Sequence, residues 1–120
     1  MKRILIADDE ELNREVLREF LEVNGYEVCE ACDGNEVLEH ARDEPPHLIL
    51  MDIRMPHADG FKVLAKLRSS PAAASIPVVA VTAFAMDSDR RRAEEAGFNA
   101  YISKPVDLRL LLQTVRELLQ

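Results

Sequence analysis

Four short runs constrain this chain more than any other feature, because each is apolar or nearly so without alternation and each stops on a polar residue. They are Ile4-Leu5-Ile6-Ala7 before Asp8-Asp9, Leu48-Ile49-Leu50-Met51 before Asp52, Val78-Val79-Ala80-Val81 before Thr82, and Tyr101-Ile102-Ser103 before Lys104. A strand with one wet face alternates apolar and polar residues, whereas a strand covered on both faces does not, and such strands belong to parallel sheets. If the four runs lie side by side and parallel, their polar ends meet in one crevice. Pro56 supplies no ladder donor and biases Met55 away from helix, so the chain after Asp52 is expected to loop.

The segments between the runs read as helices. From Glu10 to Asn24, Leu12, Val16, Leu17, Phe20 and Leu21 recur at helical spacing, and Gly25 follows where a left-handed cap would sit. Tyr26 to Ala31 mixes apolar and acidic residues as an edge strand can. Asp33-Gly34-Asn35-Glu36 has capping-box spacing and predicts a helix from Gly34 to Arg42, closed by Pro45 and Pro46. Asp59 and Gly60 precede a third helix carrying Phe61, Val63, Leu64 and Leu67 and ending near Ser69. Ser70 to Ser75 is small, Pro-containing and without a motif.

Asp87, Ser88 and Asp89 are candidate N-caps of a fourth helix that Gly97 stops after Ala96. That helix carries few large apolar side chains, so it should be lightly anchored and the part that moves. A last helix, Asp107 to Leu119, spaces Leu108, Leu111, Leu112, Val115, Leu118 and Leu119 as one stripe. Strand followed by helix, five times, predicts one α/β domain over residues 1–120, a (βα)5 doubly wound five-stranded parallel sheet. Ligands of such sheets bind beyond the carboxyl ends of the strands.

The 120 residues carry a net charge of -7, which argues against a nucleic-acid partner, since Lys and Arg contacts to phosphate dominate that affinity. No stretch approaches the roughly 20 apolar residues of a membrane span, and the apolar run after Lys2-Arg3 is too short for a signal peptide. The cytoplasm is the expected compartment. Cys29 and Cys32 form C-x-x-C, but inside an expected strand and beside a turn, so small apolar filler is the reading preferred over redox chemistry. His40, His47 and His57 lack the spacing that would join these cysteines in a zinc site.

Asp8, Asp9 and Asp52 crowd three carboxylates at the predicted crevice, where like charges call for a cation. An oxygen-only set favours Mg²⁺ over zinc. Thr82 offers a hydroxyl donor, and Lys104 a compact cation for a phosphoryl oxygen or for an unmodified Asp52. Together these make a site where Asp52 acts as nucleophile and the product is an aspartyl phosphate. Read singly, each residue is also ordinary: a solvated helix start, a turn threonine, a loop lysine.

With Asp8-Asp9, Asp52, Met55-Pro56, Gly60, Thr82-Ala83 and Lys104-Pro105 in these places, the chain resembles the receiver domain of two-component response regulators over nearly all of residues 2–119. The resemblance implies the flavodoxin-like strand order 2-1-3-4-5. It implies a signalling module, not an enzyme acting on external substrates, in which Asp52 accepts phosphoryl from a sensor histidine kinase or histidine phosphotransfer protein. Mg²⁺ would be held by Asp9 directly, by Asp8 largely through bound water, by Asp52 and by the backbone carbonyl of Arg54. Thr82 and Lys104 would bind phosphoryl oxygens, and the peptide before Pro105 would be cis.

Tyr101 matches the aromatic switch position, although a half-buried strand aromatic is its ordinary reading. The output surface would be the fourth helix, the fifth strand and the last helix, presented to a downstream protein. A monomer is expected, with phosphorylation-linked dimerisation left open, as is the choice between a stand-alone receiver and a piece of a larger regulator or hybrid kinase. Arg54 and Phe84, two residues after Asp52 and Thr82, depart from the best-known chemotaxis member. Phe84 either shields the phosphoryl group from water or packs against the fourth helix. Arg90, Arg91 and Arg92 are expected on a solvated helix face. A haloacid-dehalogenase-like phosphohydrolase would need an acid where Arg54 stands.

Overall fold

The computed structural model describes residues 1–55, 58–83 and 86–120, with only the backbone of Ala58. The turn assigned to Pro56 and both readings of Phe84 fall outside those residues. Five parallel strands form the main sheet: β1 (Arg3–Ala7), β2 (Glu27–Ala31), β3 (Leu48–Met51), β6 (Val78–Thr82) and β7 (Ala100–Ser103). Their order is β2-β1-β3-β6-β7, the predicted 2-1-3-4-5 once the five main strands are numbered by themselves. A two-residue antiparallel ribbon, β4 (Arg54–Met55) with β5 (Ala58–Asp59), follows β3 and was not legible in the sequence.

The central strands β1, β3 and β6 bury both faces, whereas the edge strand β2 leaves Glu27 exposed. Leu5, Ala7, Ile49, Met51, Val78, Ala80 and Tyr101 join Val37 and Ala41 of α2 (Gly34–Asp43), Val63, Leu64 and Leu67 of α3 (Gly60–Ser69), and Ala93 of α4 (Asp87–Ala96). Their strand neighbours Ile4, Ile6, Leu48, Leu50, Val79, Val81 and Ile102 pack on the opposite face against Leu17 and Leu21 of α1 (Glu11–Val23) and Leu111 and Val115 of α5 (Leu108–Leu118). The period of two along a strand sends successive side chains to opposite faces. That is why the runs show no alternation. No helix among the described residues is long and apolar enough to cross a membrane.

Helix ends follow the capping chemistry, with exceptions. Asp33 caps α2 by accepting from Glu36 N, Asp59 caps α3 through Phe61 N, and Asp107 caps α5 through Arg109 N and Leu110 N. The Glu36 carboxylate reaches Cys32 N, one residue earlier than a reciprocal capping box requires. In α4 the N-cap is Met86, not Asp87, Ser88 or Asp89, and the Asp89 carboxylate accepts from Met86 N. Gly97 ends α4 at φ 108°, a left-handed conformation that favours glycine. The expected stripe of α1 is narrower than its spacing suggests: Leu17 and Leu21 are buried, while Leu12 and Val16 are exposed. Of the stripe on α5, Leu111 and Val115 carry the burial, with the other four half-buried.

Candidate functional site

The parallel ladder itself delivers the polar residues. Past the last strand residue, Asp8 N donates to Ala31 O, Asp52 N to Ala7 O, and Lys104 N to Thr82 O, at 3.1, 2.9 and 2.8 Å. Each residue after a strand therefore keeps one more rung, which fixes its Cα while its side chain enters the crevice at the carboxyl end of the sheet. Asp8, Asp52 and Thr82 are the buried polar residues there, and Asp9 is exposed.

Lys104 Nζ lies 2.8 Å from Asp8 Oδ2 and 2.8 Å from Asp52 Oδ2. Asp8 Oδ1 accepts from Glu10 N at 2.9 Å, and Asp52 Oδ1 accepts from Arg54 N at 3.1 Å. Burial disfavours the Lys104 ammonium, but hydrogen bonds and charge from Asp52 and Asp8 outweigh it, so its pKa is raised above the ordinary lysine value. The ammonium is thus a fixed cation at neutral pH. Thr82 reaches the site from β6, paired in register with Ser103 of β7. The Lys104–Pro105 peptide is cis.

Asp8, Asp9 and Asp52 each bring one carboxylate oxygen to within 4.8 Å of the others, close to the about 4.2 Å that separates opposite ligands of an octahedral Mg²⁺. The set is hard, oxygen-only and open to solvent on the Asp9 side. These residues fit a Mg²⁺ ion. Arg54, whose carbonyl was expected among the ligands, directs its amide to Asp52 and its chain into the ribbon with Asp59.

The loop after Asp52 is held from beneath by Gly60. Its amide donates to Ile53 O at 2.7 Å. A Cβ at Gly60 would stand 2.7 Å from Ile53 Cα and 3.2 Å from Asp52 O. Close backbone approach, not a positive φ, is what calls for glycine there.

Tyr101 is buried, not half-buried as expected, with 8% of its surface exposed. Its hydroxyl has no hydrogen-bond partner among the described residues. Arg90, Arg91 and Arg92 are exposed, as expected of a solvated face, and two of them also lie over aromatic rings: Arg90 over Tyr101 at 5.2 Å and Arg92 over Phe61 at 4.3 Å. The C-x-x-C pair divides. Cys29 is half-buried against the core, as filler, but Cys32 is exposed and its thiol lies against both Glu36 oxygens. The hydrogen bond to Glu36 pushes that thiol pKa up, opposite to what a redox nucleophile needs.

Sequence reasoning missed Arg14, which donates from Nη1 to Asp8 O at 2.6 Å and from Nε to Glu30 Oε1 at 3.1 Å. The signal was present. Arg14 falls three residues before Leu17 and seven before Leu21, so a cation sits on the buried stripe of α1.

Known proteins are similar to this chain over nearly its whole length. The family model of the response regulator receiver domain matches residues 4–116. The polar-differentiation response regulator DivK of Brucella anthropi is 41% identical over 118 residues, covering 98% of this chain and 96% of that protein. Among solved structures, a chemotaxis response regulator of Vibrio cholerae superposes with a TM-score of 0.91 at 26% identity, covering 98% of each chain. The receiver domain of a sensor histidine kinase from Pseudomonas aeruginosa, determined with a magnesium ion coordinated in its active-site cleft, superposes with a TM-score of 0.90 at 30% identity, covering 98% of this chain and 97% of that one.

Proposed function

This chain belongs to the response regulator receiver domain family of two-component signalling, and from that premise we propose that it is a switch thrown by phosphorylation of Asp52. The observation that carries the reading is the Lys104 ammonium bridging Asp8 and Asp52 at 2.8 Å each, where the strand ends converge. A carboxylate that needs only to be neutralised could end in an ion pair at the surface. Here the nucleophile candidate is buried, oriented through both oxygens, and open towards Asp9.

In the proposed reaction an Asp52 oxygen forms a bond to phosphorus as the P–N bond to a donor imidazole breaks, and the bonding pair returns to that nitrogen. The donor is a sensor histidine kinase or a histidine phosphotransfer protein. Asp9, Asp8, Asp52 and the Arg54 carbonyl would hold Mg²⁺, which when bound would neutralise charge on the transferring group. Lys104 has a third N–H beyond the two used by Asp8 and Asp52, and turns it to a phosphoryl oxygen. Thr82 donates its hydroxyl to another. Thr82 O accepts from Lys104 N, so the backbones that carry the two donors are tied to each other. Only their better fit to the phosphorylated loop can shift the population of conformers.

The surface that responds is α4, β7 and α5, and its reader is a downstream protein. We place this receiver domain in the cytoplasm and read it as a monomer before phosphorylation. Beryllofluoride with Mg²⁺ tests the reading without a kinase. Amide NMR shifts should change at Thr82, Lys104 and along α4 and β7, and unchanged spectra would exclude a phosphoryl-operated switch.

A further inference from the structure

The side chain of Arg14 is 15% exposed, and a guanidinium so placed needs acceptors. It spans two elements: Nη1 to Asp8 O at 2.6 Å, and Nε to Glu30 Oε1 at 3.1 Å on β2. Arg18 holds the other Glu30 oxygen, so the anchor is itself fixed. Ala31, the residue after Glu30, accepts from Asp8 N. Asp8 is therefore tied at its amide, its carbonyl and both carboxylate oxygens.

The tie at the carbonyl has a consequence for Asp9. A peptide unit is planar, so fixing Asp8 O and Asp8 Cα fixes the Asp9 amide and Asp9 Cα as well. Asp9 is exposed, and its carboxylate is the least restrained of the three that converge. The clamp on the linking peptide aims it.

We propose that Arg14 is a positioning residue for divalent-cation binding, acting by clamping the Asp8–Asp9 peptide against Glu30. The inference rests on the phosphorylation reading above. It opposes the simplest electrostatic expectation, because a guanidinium beside an acidic site repels a divalent cation. Removing it should strengthen binding if charge alone mattered. If the clamp matters, removing it should weaken binding.

Calorimetric titration of the full chain with MgCl₂, in the absence of any phosphodonor, separates the two. Arg14→Gln removes the charge and the fork, whereas Arg14→Lys keeps the charge and removes the fork. Both should bind Mg²⁺ roughly tenfold more weakly than wild type, the size of effect usual for residues that orient metal ligands. Tighter or unchanged binding in Arg14→Gln would overturn the proposal. If that variant does not fold, Arg14→Lys decides alone, since charge predicts no change and the clamp predicts a loss. If wild type binds no Mg²⁺, the phosphorylation reading falls and this inference with it. If wild type binds and both variants bind as tightly as wild type, this inference alone falls.

Discussion

Gly60 and Lys104 show at the scale of single residues how closely the site is built. A methyl group on Gly60 would enter the backbone of Ile53 and Asp52, and backbone cannot step aside as a flexible side chain can. Gly60→Ala should therefore cost about 1–3 kcal/mol in urea unfolding and slow labelling of Asp52; full stability and full labelling would show that the loop yields. Lys104 has its pKa raised in the fold, so its contribution is complete below the ordinary lysine pKa and is lost as pH rises through the higher folded value. Wild type should lose stability more steeply than Lys104→Met in that alkaline window, and parallel curves would contradict the pairing. Asp8, Asp9, Asp52, Thr82 and Lys104 were legible because each interrupts an apolar run. The buried setting of Tyr101 was not, because it depends on partners far along the chain, whereas Arg14 left a signal on the stripe of α1 but its partner Glu30 could not be read from it.

α4 carries the corresponding lesson at the scale of an element. Its C-cap at Gly97 and its polar composition were legible, its N-cap at Met86 was not, and Ala93 is its buried residue. What holds it was not, since arginine on a helix reads as solvated until the ring it covers is known. Arg90 covers Tyr101 and Arg92 covers Phe61, which meets Phe98 edge to face at 5.8 Å. At the far end, Arg68 of α3 donates to Ala74 O, Ile76 O, Gly97 O and Asn99 Oδ1, tying the end of α4 to the start of β6. The two ends differ in kind. Arginine over a ring contributes about 0.5–1 kcal/mol at an exposed position, whereas Arg68 makes four hydrogen bonds, of which the one to Ile76 O is part-buried and loses its donor with the side chain. Arg68→Met should cost about 2–3 kcal/mol in urea unfolding, and a stability within error of wild type would contradict the tie. Arg90→Ala in a Tyr26→Phe background should leave stability nearly unchanged yet raise iodide quenching of Tyr101 fluorescence, and unchanged quenching would show that Arg90 does not cover the ring. The ribbon of β4 and β5 had no signal at all, because two residues are too few to show a period.

For the whole molecule, a five-stranded sheet gathers its chemistry at the carboxyl end, with helices on both faces. That architecture followed from apolar runs without alternation and from helical spacing between them, while the placing of Leu12 and Val16 in the packed stripe of α1 did not hold. The three carboxylates at one end link function to stability. A ligand that binds only the folded state stabilises it, so Mg²⁺ should raise the melting temperature of wild type and much less that of Asp9→Asn. Equal shifts would place the ion elsewhere. The central claim is that Asp52 takes a phosphoryl group in a site completed by a divalent cation. Intact mass after incubation with acetyl phosphate, with and without Mg²⁺, on wild type and Asp52→Asn, tests it most directly. One phosphoryl group on wild type with Mg²⁺, and none without the ion or in Asp52→Asn, is the expected result. Equal labelling of Asp52→Asn, or labelling of wild type indifferent to Mg²⁺, would contradict it.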